Sequence, residues 1–266
     1  MSVTSLIPAP FRSLFRRLAW NAIGLTAVTA SGMKLRITSP SDWYVFNEIF
    51  VKGEYDKAIV AALANTSGRM NVIDLGANVG FFSLRVLDLL RTRGRHDVMV
   101  DIVAIEGSPT CYRQLTTTMR EAGVNGTVRH RLGLVGLRWG EGVLHESSFG
   151  ARSSMVRSER GGSTTVPFID LNTIVAPGTT IDLLKCDIEG AEELFIENYP
   201  GLIRQTRVAV FELHQRLCDS RRCVQLLAGA GMIMQEDRRA ADDTAIITFV
   251  QSRLSQTGDT ITANPT

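Results

Sequence analysis

From residue 71 onward the chain alternates short apolar runs with longer amphipathic ones, and no other feature limits its fold so strongly. Runs of roughly four to eight apolar residues read as strands, and apolar positions recurring at helical spacing read as helices. Strands are predicted over 72–75, 98–105, 128–135, 181–186 and 207–213. Helices are predicted over 79–93, 109–122, 191–199 and 221–228, with 232–235 and 244–250 as a closing hairpin. Strands that alternate with helices need crossover connections, which cover both faces of a parallel sheet. The expected fold class is α/β: a doubly wound, mostly parallel, seven-stranded sheet with a C-terminal hairpin. No internal repeat is visible.

A chain of 266 residues suffices for one large, well-buried domain. Its 44% hydrophobic and 21% charged composition excludes a disordered, collagen-like or coiled-coil protein. No run of about 18 apolar residues is present, so a conventional membrane-spanning helix is not expected. The net charge of +2 conceals an asymmetry. Residues 1–41 carry Arg12, Arg16, Arg17, Lys34 and Arg36 and no acid, which leaves −3 on the rest. An acidic body disfavours nucleic acid as a partner.

Three units follow: a basic N-terminal arm (1–40), the main domain (41–251, core 70–250) and a polar tail (252–266). The arm is expected to dock on the domain or on a second copy in a homo-oligomer. Its helically spaced Phe11, Leu14, Phe15 and Leu18 also fit peripheral membrane contact through 11–28, or an export signal. The Ser-, Gly- and Arg-rich stretch 147–164 breaks the strand–helix alternation. It reads as a loop or β excursion that could cover a substrate. Cys111, Cys186, Cys218 and Cys223 form neither a CxxC pair nor a disulfide framework, so a reducing cytoplasm is the expected compartment. The spacing of His214, Cys218 and Cys223 matches no common zinc finger. His130 and His145 read as surface residues.

The sharpest local signal is Asp74-Leu75-Gly76-Ala77-Asn78-Val79-Gly80-Phe81, where a strand meets a helix across a small-residue turn. Gly76 lets backbone approach a ligand, and the helix start offers unpaired N–H groups. The GxGxxG spacing of dinucleotide sites is absent, and Asp74 before the glycine would repel phosphate but attract a cation. Glu106 ends the second strand, where a carboxylate can accept both hydroxyls of an adenosyl ribose. A capping turn beside a surface acid is the plainer reading, but two acids ending adjacent strands argue against it.

These residues resemble class I S-adenosylmethionine-dependent methyltransferases. More narrowly, Asp182-Leu183-Leu184-Lys185-Cys186-Asp187-Ile188-Glu189-Gly190-Ala191-Glu192 is similar to the signature of the FkbM family. So are Glu48-Ile49-Phe50, Gly53-Glu54-Tyr55 and Phe211-Glu212-Leu213-His214. The resemblance spans about residues 45–250 and implies a Rossmann-like methyltransferase fold with S-adenosyl-L-methionine as cofactor. Cys186 stands where an aliphatic residue is usual, and Gly107 where proline is frequent. By this resemblance Gly76, Ala77 and Asn78 line the methionine moiety, with Gly80 and Phe81 continuing the same turn. Glu106 holds the ribose, Asp74 orients the amino group and Ser108 lies beside the adenosine. Glu54 and Tyr55 close the pocket, and the adenine contact falls among Leu134, Val135 and Gly136.

Methyl transfer needs an acceptor held in line with the sulfonium carbon and, for an alcohol, a group to take the proton. Asp187 and Glu189 follow the fourth strand, and Glu212 and His214 end the fifth, so these four are the expected catalytic residues. His214 is the first candidate for the base, and Glu192 reads as a helix-dipole residue. A divalent metal on Asp187 and Glu212 is compatible with the residues but is not the expectation. After Asp187 there is no Pro-Pro-aromatic turn such as stacks nucleobases. The expected reaction is O-methylation of a hydroxyl on a sugar, glycan or secondary metabolite. The alternatives are a nicotinamide-dependent oxidoreductase of the same fold and a non-catalytic S-adenosylmethionine-binding protein.

Overall fold

The computed structural model describes residues 25–145, 163–239 and 244–252. Two short strands, β1 (Thr26–Val28) and β2 (Lys34–Arg36), form an antiparallel hairpin. Helix α1 (Pro40–Phe46) follows, capped by Ser39, and runs into a π-helical turn over Asn47–Val51 before α2 (Asp56–Ala64). The core then reads β3 (Gly68–Leu75), α3 (Phe81–Thr92), β4 (Val98–Glu106), α4 (Pro109–Glu121) and β5 (Val128–Leu132). An antiparallel pair, β6 (Glu141–His145) and β7 (Ser163–Pro167), stands apart from the main sheet. The second half runs β8 (Ile181–Cys186), α5 (Glu192–Asn198), α6 (Pro200–Arg204), β9 (Thr206–His214), α7 (Ser220–Gly229), β10 (Met232–Arg239) and β11 (Thr244–Gln251).

Seven strands make one sheet in the order β10-β11-β9-β8-β3-β4-β5. The five strands from β9 to β5 are mutually parallel, whereas β11 is antiparallel to both β9 and β10. Helices supply the long crossovers that parallel strands need, while β10 and β11 follow each other closely enough for a hairpin. The chain builds outward from β3 to β5, then returns to β8 on the other side of β3. The connections after β3 and β8 therefore run on toward opposite edges of the sheet, and such a switch point is where open α/β sheets bind ligands.

Successive strand residues enter opposite cores, which accounts for the uninterrupted apolar runs. Val72, Leu183, Val208 and Val210 pack with Ile59, Leu63, Phe81 and Phe82 on the face covered by α2, α3 and α4. Ile73, Leu184, Ala209 and Phe211 pack with Phe195, Tyr199, Ile203 and Leu227 on the other.

The departures from the sequence-based boundaries have local causes. Helix α3 starts at Phe81 rather than 79 because Asn78 (φ 50°) and Gly80 (φ 88°) are left-handed. Strand β5 stops at Leu132 rather than 135: Leu134 N–H donates to Pro167 O, diverting the chain toward β7. Helix α6 was not anticipated; Pro200 at its first turn ends α5 and starts it again.

The 147–164 stretch contributes Ser163 and Thr164 to β7, and the rest of it lies outside the described residues. So do the tail beyond residue 252 and the segment 11–24 expected to contact membrane or act as a signal. The later part of the arm docks on the domain: Met33 and Leu35 are buried in the core, and Ser31 N–H donates to Asp88 Oδ1 on α3 (2.8 Å). Among the described residues no helix is long and apolar enough to cross a membrane.

Candidate active site

The turn after β3 and the loop after β8 touch backbone to backbone. Gly76 has φ 72°, and a Cβ placed on it would lie 1.7 Å from Asp187 O. Asp187 N–H donates to Leu75 O (3.1 Å), and the amides of Gly76 and Ala77 both donate to Ile105 O (2.9 Å). Glu106 ties the neighbouring turn together: Oε2 accepts from Asn78 N–H and Oε1 from Ser108 N–H, each at 2.7 Å. Ser108 in turn caps α4, its Oγ accepting from Cys111 N–H (3.2 Å).

Two joined cavities open on this framework. The narrower, about 60 Å³, is lined by Gly76, Asn78, Ile105, Glu106, Leu134, Val135, Leu144 and Ile188. The wider, about 360 Å³, lies toward α1 and α2 and is lined by Tyr44, Glu48, Lys52, Glu54, Tyr55, Phe81, Glu212 and His214. Gly76, Asn78, Asp187 and Glu189 line both.

Between the cavities and the sheet lies Lys185, 4% exposed. Its Nζ donates to Gly76 O (2.7 Å) and lies 3.3 Å from Asp187 Oδ2 and 3.7 Å from Asp74 Oδ1. Burial alone would lower its pKa, but Asp187 and Asp74 outweigh that and hold it above the ordinary lysine value. Asp74 is fully buried and accepts from Ser83 Oγ–H (2.8 Å), so its carboxylate supports Lys185 from beneath the turn.

His214 is the centre of an acidic cluster. Its Nε2 is 3.6 Å from Asp187 Oδ1, 3.6 Å from Glu189 Oε2 and 3.7 Å from Glu212 Oε1. On its other side Nδ1 lies 3.2 Å from Thr244 Oγ1, which pairs across the β9–β11 register. Burial disfavours the imidazolium, yet the three carboxylates push the His214 pKa up to about 10. Burial and the neighbouring Asp187 push Glu212 up to about 8, while its Oε2 accepts a 2.6 Å bond from Tyr55 OH. Asp187 is held below the usual carboxylate range: burial opposes this, but Lys185 and His214 prevail.

The Methyltransferase FkbM domain family matches residues 74–251. The chain belongs to the FkbM methyltransferase family. It is an S-adenosylmethionine-dependent methyltransferase, which displaces the nicotinamide alternative. It is similar to several solved structures. The METTL16 methyltransferase domain shares 8% identity over 93% of this chain and 94% of that one, with a TM-score of 0.48. M. capricolum TrmK with S-adenosyl-homocysteine shares 6% over 73% and 67%, at 0.43. Aeropyrum pernix fibrillarin with natively bound S-adenosyl-L-methionine shares 13% over 74% of each chain, at 0.42. Likeness at that level does not bear on the acceptor. No curated protein matches the chain.

The narrow cavity fits the chemistry of the FkbM cofactor. Apolar Ile105, Leu134, Val135, Leu144 and Ile188 suit an adenine, and Glu106 lines the same space with acceptor capacity beyond its two amide bonds. Leu144 belongs to the β6–β7 pair, which is separate from the main sheet.

The structure places the expected site residues unevenly. Gly76, Asn78, Glu106, Asp187, Glu189, Glu212, His214, Glu54, Tyr55, Ala77 and Phe81 all line one or both cavities. Asp74, Gly80 and Ser108 line neither. Asp74 reaches Lys185 and not the space above. Gly80 is favoured by its left-handed backbone (φ 88°), with Met119 and Leu115 packed close above it. Of the three adenine candidates, Leu134 and Val135 line the cavity and Gly136 packs on Leu194.

Lys185, Thr244 and Glu48 were not anticipated as site residues. A lysine beside the apolar Leu183, Leu184 and Cys186 of its strand was the available signal for the first; Thr244 carried none. Glu192 does more than oppose the helix dipole. Fully buried, its carboxylate accepts from the amides of Ile188 (3.0 Å) and Gly190 (3.0 Å) and so shapes the loop that carries Asp187 and Glu189.

Proposed function

We propose that this FkbM-family enzyme O-methylates a hydroxyl of a neutral or amine-bearing small molecule, such as a sugar or other polyhydroxylated metabolite. The observation that carries the reading is the Asp187–Glu189–Glu212–His214 cluster on the wall where the wide cavity joins the narrow one. S-adenosyl-L-methionine supplies an electrophilic methyl group when bound. Gly76, Ala77 and Asn78 would hold its methionine end, Glu106 its ribose, and Leu134 and Val135 its adenine. The wide cavity would then receive the acceptor.

An alcohol must lose its proton as it attacks. His214 alone is poorly suited as the base, because an imidazole whose pKa is pushed up to about 10 already carries a proton at neutral pH. The acid–imidazole cluster titrates as a unit and is the better proton acceptor. Lys185 fixes Asp187, and Tyr55 fixes Glu212, so both carboxylates meet the acceptor in set orientations. The wide cavity carries Glu48, Glu54, Asp187 and Glu189 against Lys52, Lys185 and the protonated His214, with Glu212 holding its proton to about pH 8. This residual acidic balance disfavours phosphorylated or carboxylated acceptors.

The test is to measure S-adenosylhomocysteine release with panels of neutral, amino and phosphorylated polyols. Turnover concentrated in the first two panels is expected. Turnover confined to the phosphorylated panel, or a product methylated on nitrogen by mass spectrometry, would reject the reading.

A further inference from the structure

We infer that Asp187, Glu212 and His214 form a binding site for a divalent cation of the Mn²⁺ or Mg²⁺ class, one that would hold the acceptor hydroxyl. One ligand atom from each lies within 4.8 Å of the others. His214 Nε2 is 3.6 Å from Asp187 Oδ1 and 3.7 Å from Glu212 Oε1. Ligands at about 2.1 Å from an octahedral cation stand about 3.0 Å apart, so a small inward movement would close the set.

The second observation is which atoms are engaged and which are not. Each of the three side chains has its far atom held by a residue outside the set. Lys185 Nζ is 3.3 Å from Asp187 Oδ2, Tyr55 OH donates to Glu212 Oε2 (2.6 Å), and Thr244 Oγ1 is 3.2 Å from His214 Nδ1. The near atoms are left over. Among the described residues, Asp187 Oδ1 and His214 Nε2 are buried and face each other across 3.6 Å, too far for a normal hydrogen bond, and neither has another hydrogen-bond partner. Buried polar atoms ordinarily find partners, and two orphans facing one point call for an explanation. An outer shell that fixes each ligand from behind and leaves its inner atom bare is the usual construction of a metal site.

The donor set selects the metal class. Two carboxylates and one imidazole, with Glu189 Oε2 3.6 Å from the same nitrogen and no thiolate among the three ligands, favour a hard or borderline divalent ion. Such an ion would displace the proton that His214 otherwise carries. It would take the acceptor oxygen as a further ligand and lower the pKa of its hydroxyl, whose proton would pass to Glu189, outside the ligand set and 3.6 Å from His214 Nε2. The inference deepens the proposed reaction at the same site, but cation binding can be tested without any acceptor.

The test is isothermal titration of the full chain with MnCl₂, alongside its melting temperature and its affinity for S-adenosylhomocysteine. One Mn²⁺ per chain and a raised melting temperature are expected. Glu212→Gln and His214→Gln should each weaken Mn²⁺ at least 10-fold while leaving S-adenosylhomocysteine affinity near wild type. Thr244→Val, which removes only a support, should weaken Mn²⁺ by roughly 10-fold. Glu236→Gln, on the surface pair with Lys57, should bind as wild type does. S-adenosylhomocysteine binding without Mn²⁺ binding up to 1 mM would overturn the metal site and leave the methyltransferase assignment standing. Mn²⁺ binding indifferent to both ligand substitutions would also overturn it.

Discussion

Gly76 and Asp187 are in backbone contact, so close that the Cα hydrogen of Gly76 is all that separates the turn after β3 from the carbonyl after β8. A Cβ at residue 76 would lie 1.7 Å from Asp187 O, and the residue's φ of 72° disfavours any side chain. This contact sets how far apart the turn after β3 and the loop after β8 stand. Gly76→Ala is therefore expected to cost roughly 2–5 kcal/mol, combining backbone strain with a clash that nothing flexible can relieve. Urea unfolding measures it, and stability within about 0.5 kcal/mol of wild type would contradict the contact.

Glu106 both faces the narrow cavity and accepts two backbone amides, so its removal should be felt twice. Glu106→Gln replaces one accepting oxygen by a donor, facing Asn78 N–H or Ser108 N–H with the wrong partner. A loss of about 1–3 kcal/mol in stability is expected, with S-adenosylhomocysteine bound at least 10-fold more weakly. Calorimetric titration at a temperature where the variant remains folded checks the second effect. Unchanged affinity would remove Glu106 from the ribose.

Lys185 is a buried cation between the buried Asp74 and Asp187, which lines both cavities. Lys185→Met leaves Asp74 and Asp187 without it, and breaking such a pair from one side typically costs about 3–5 kcal/mol. Adding Asp74→Asn should restore part of that loss, since one of the two stranded charges is removed. Denaturant unfolding of both singles and the double gives the coupling; strictly additive effects would deny that the pair interacts.

Glu192 gives the pH dependence a definite sign. Burial, with Cys218 as a second contributor, pushes its pKa up to about 8 from an ordinary 4.5. The folded state thus holds the proton more tightly than the unfolded state, and stability should fall as pH rises from about 4.5 to 8 and then level off. The upper bound on the total change is about 5 kcal/mol at 1.36 kcal/mol per pKa unit. Glu192→Gln should flatten that part of the stability–pH curve. A slope identical in the variant would place the titration elsewhere.

Asp187→Asn and His214→Ala are expected to cut turnover roughly 100-fold or more, with S-adenosylhomocysteine affinity nearly intact. The double variant should be little worse than either single, because the cluster acts together. Single-turnover rates decide this, with the melting temperature of each sample separating lost chemistry from lost packing.

How much was legible in the sequence follows from which interactions are local. Strand β8, Ile181–Cys186, was predicted to the residue, and β9 and α7 to within one or two, because apolar periodicity and capping residues act over a few positions. The Asp187–Glu192 and Asp74–Phe81 motifs marked the site for the same reason: each is a contiguous turn at a strand end. The family match over 74–251 agrees with that reading.

Tertiary structure decided what neighbouring chain segments do to one another. Asp74 lies in a motif that pointed to the cofactor, yet it sits beneath the turn against Lys185, a residue 111 positions away that becomes its neighbour only through the β3–β8 pairing. Thr244 carries no signal of its own and reaches His214 only because β11 enters the sheet antiparallel to β9. The charge on His214 likewise depends on three carboxylates from two different strand ends. The sequence by itself determined the strands of the main sheet, most of the helices between them and the motif residues, because propensity and periodicity are short-range. It did not mark α1, α2, α6 or the two small antiparallel pairs. Only the packed sheet decided partners, burial and charge, because these depend on distance in space and on the exclusion of water.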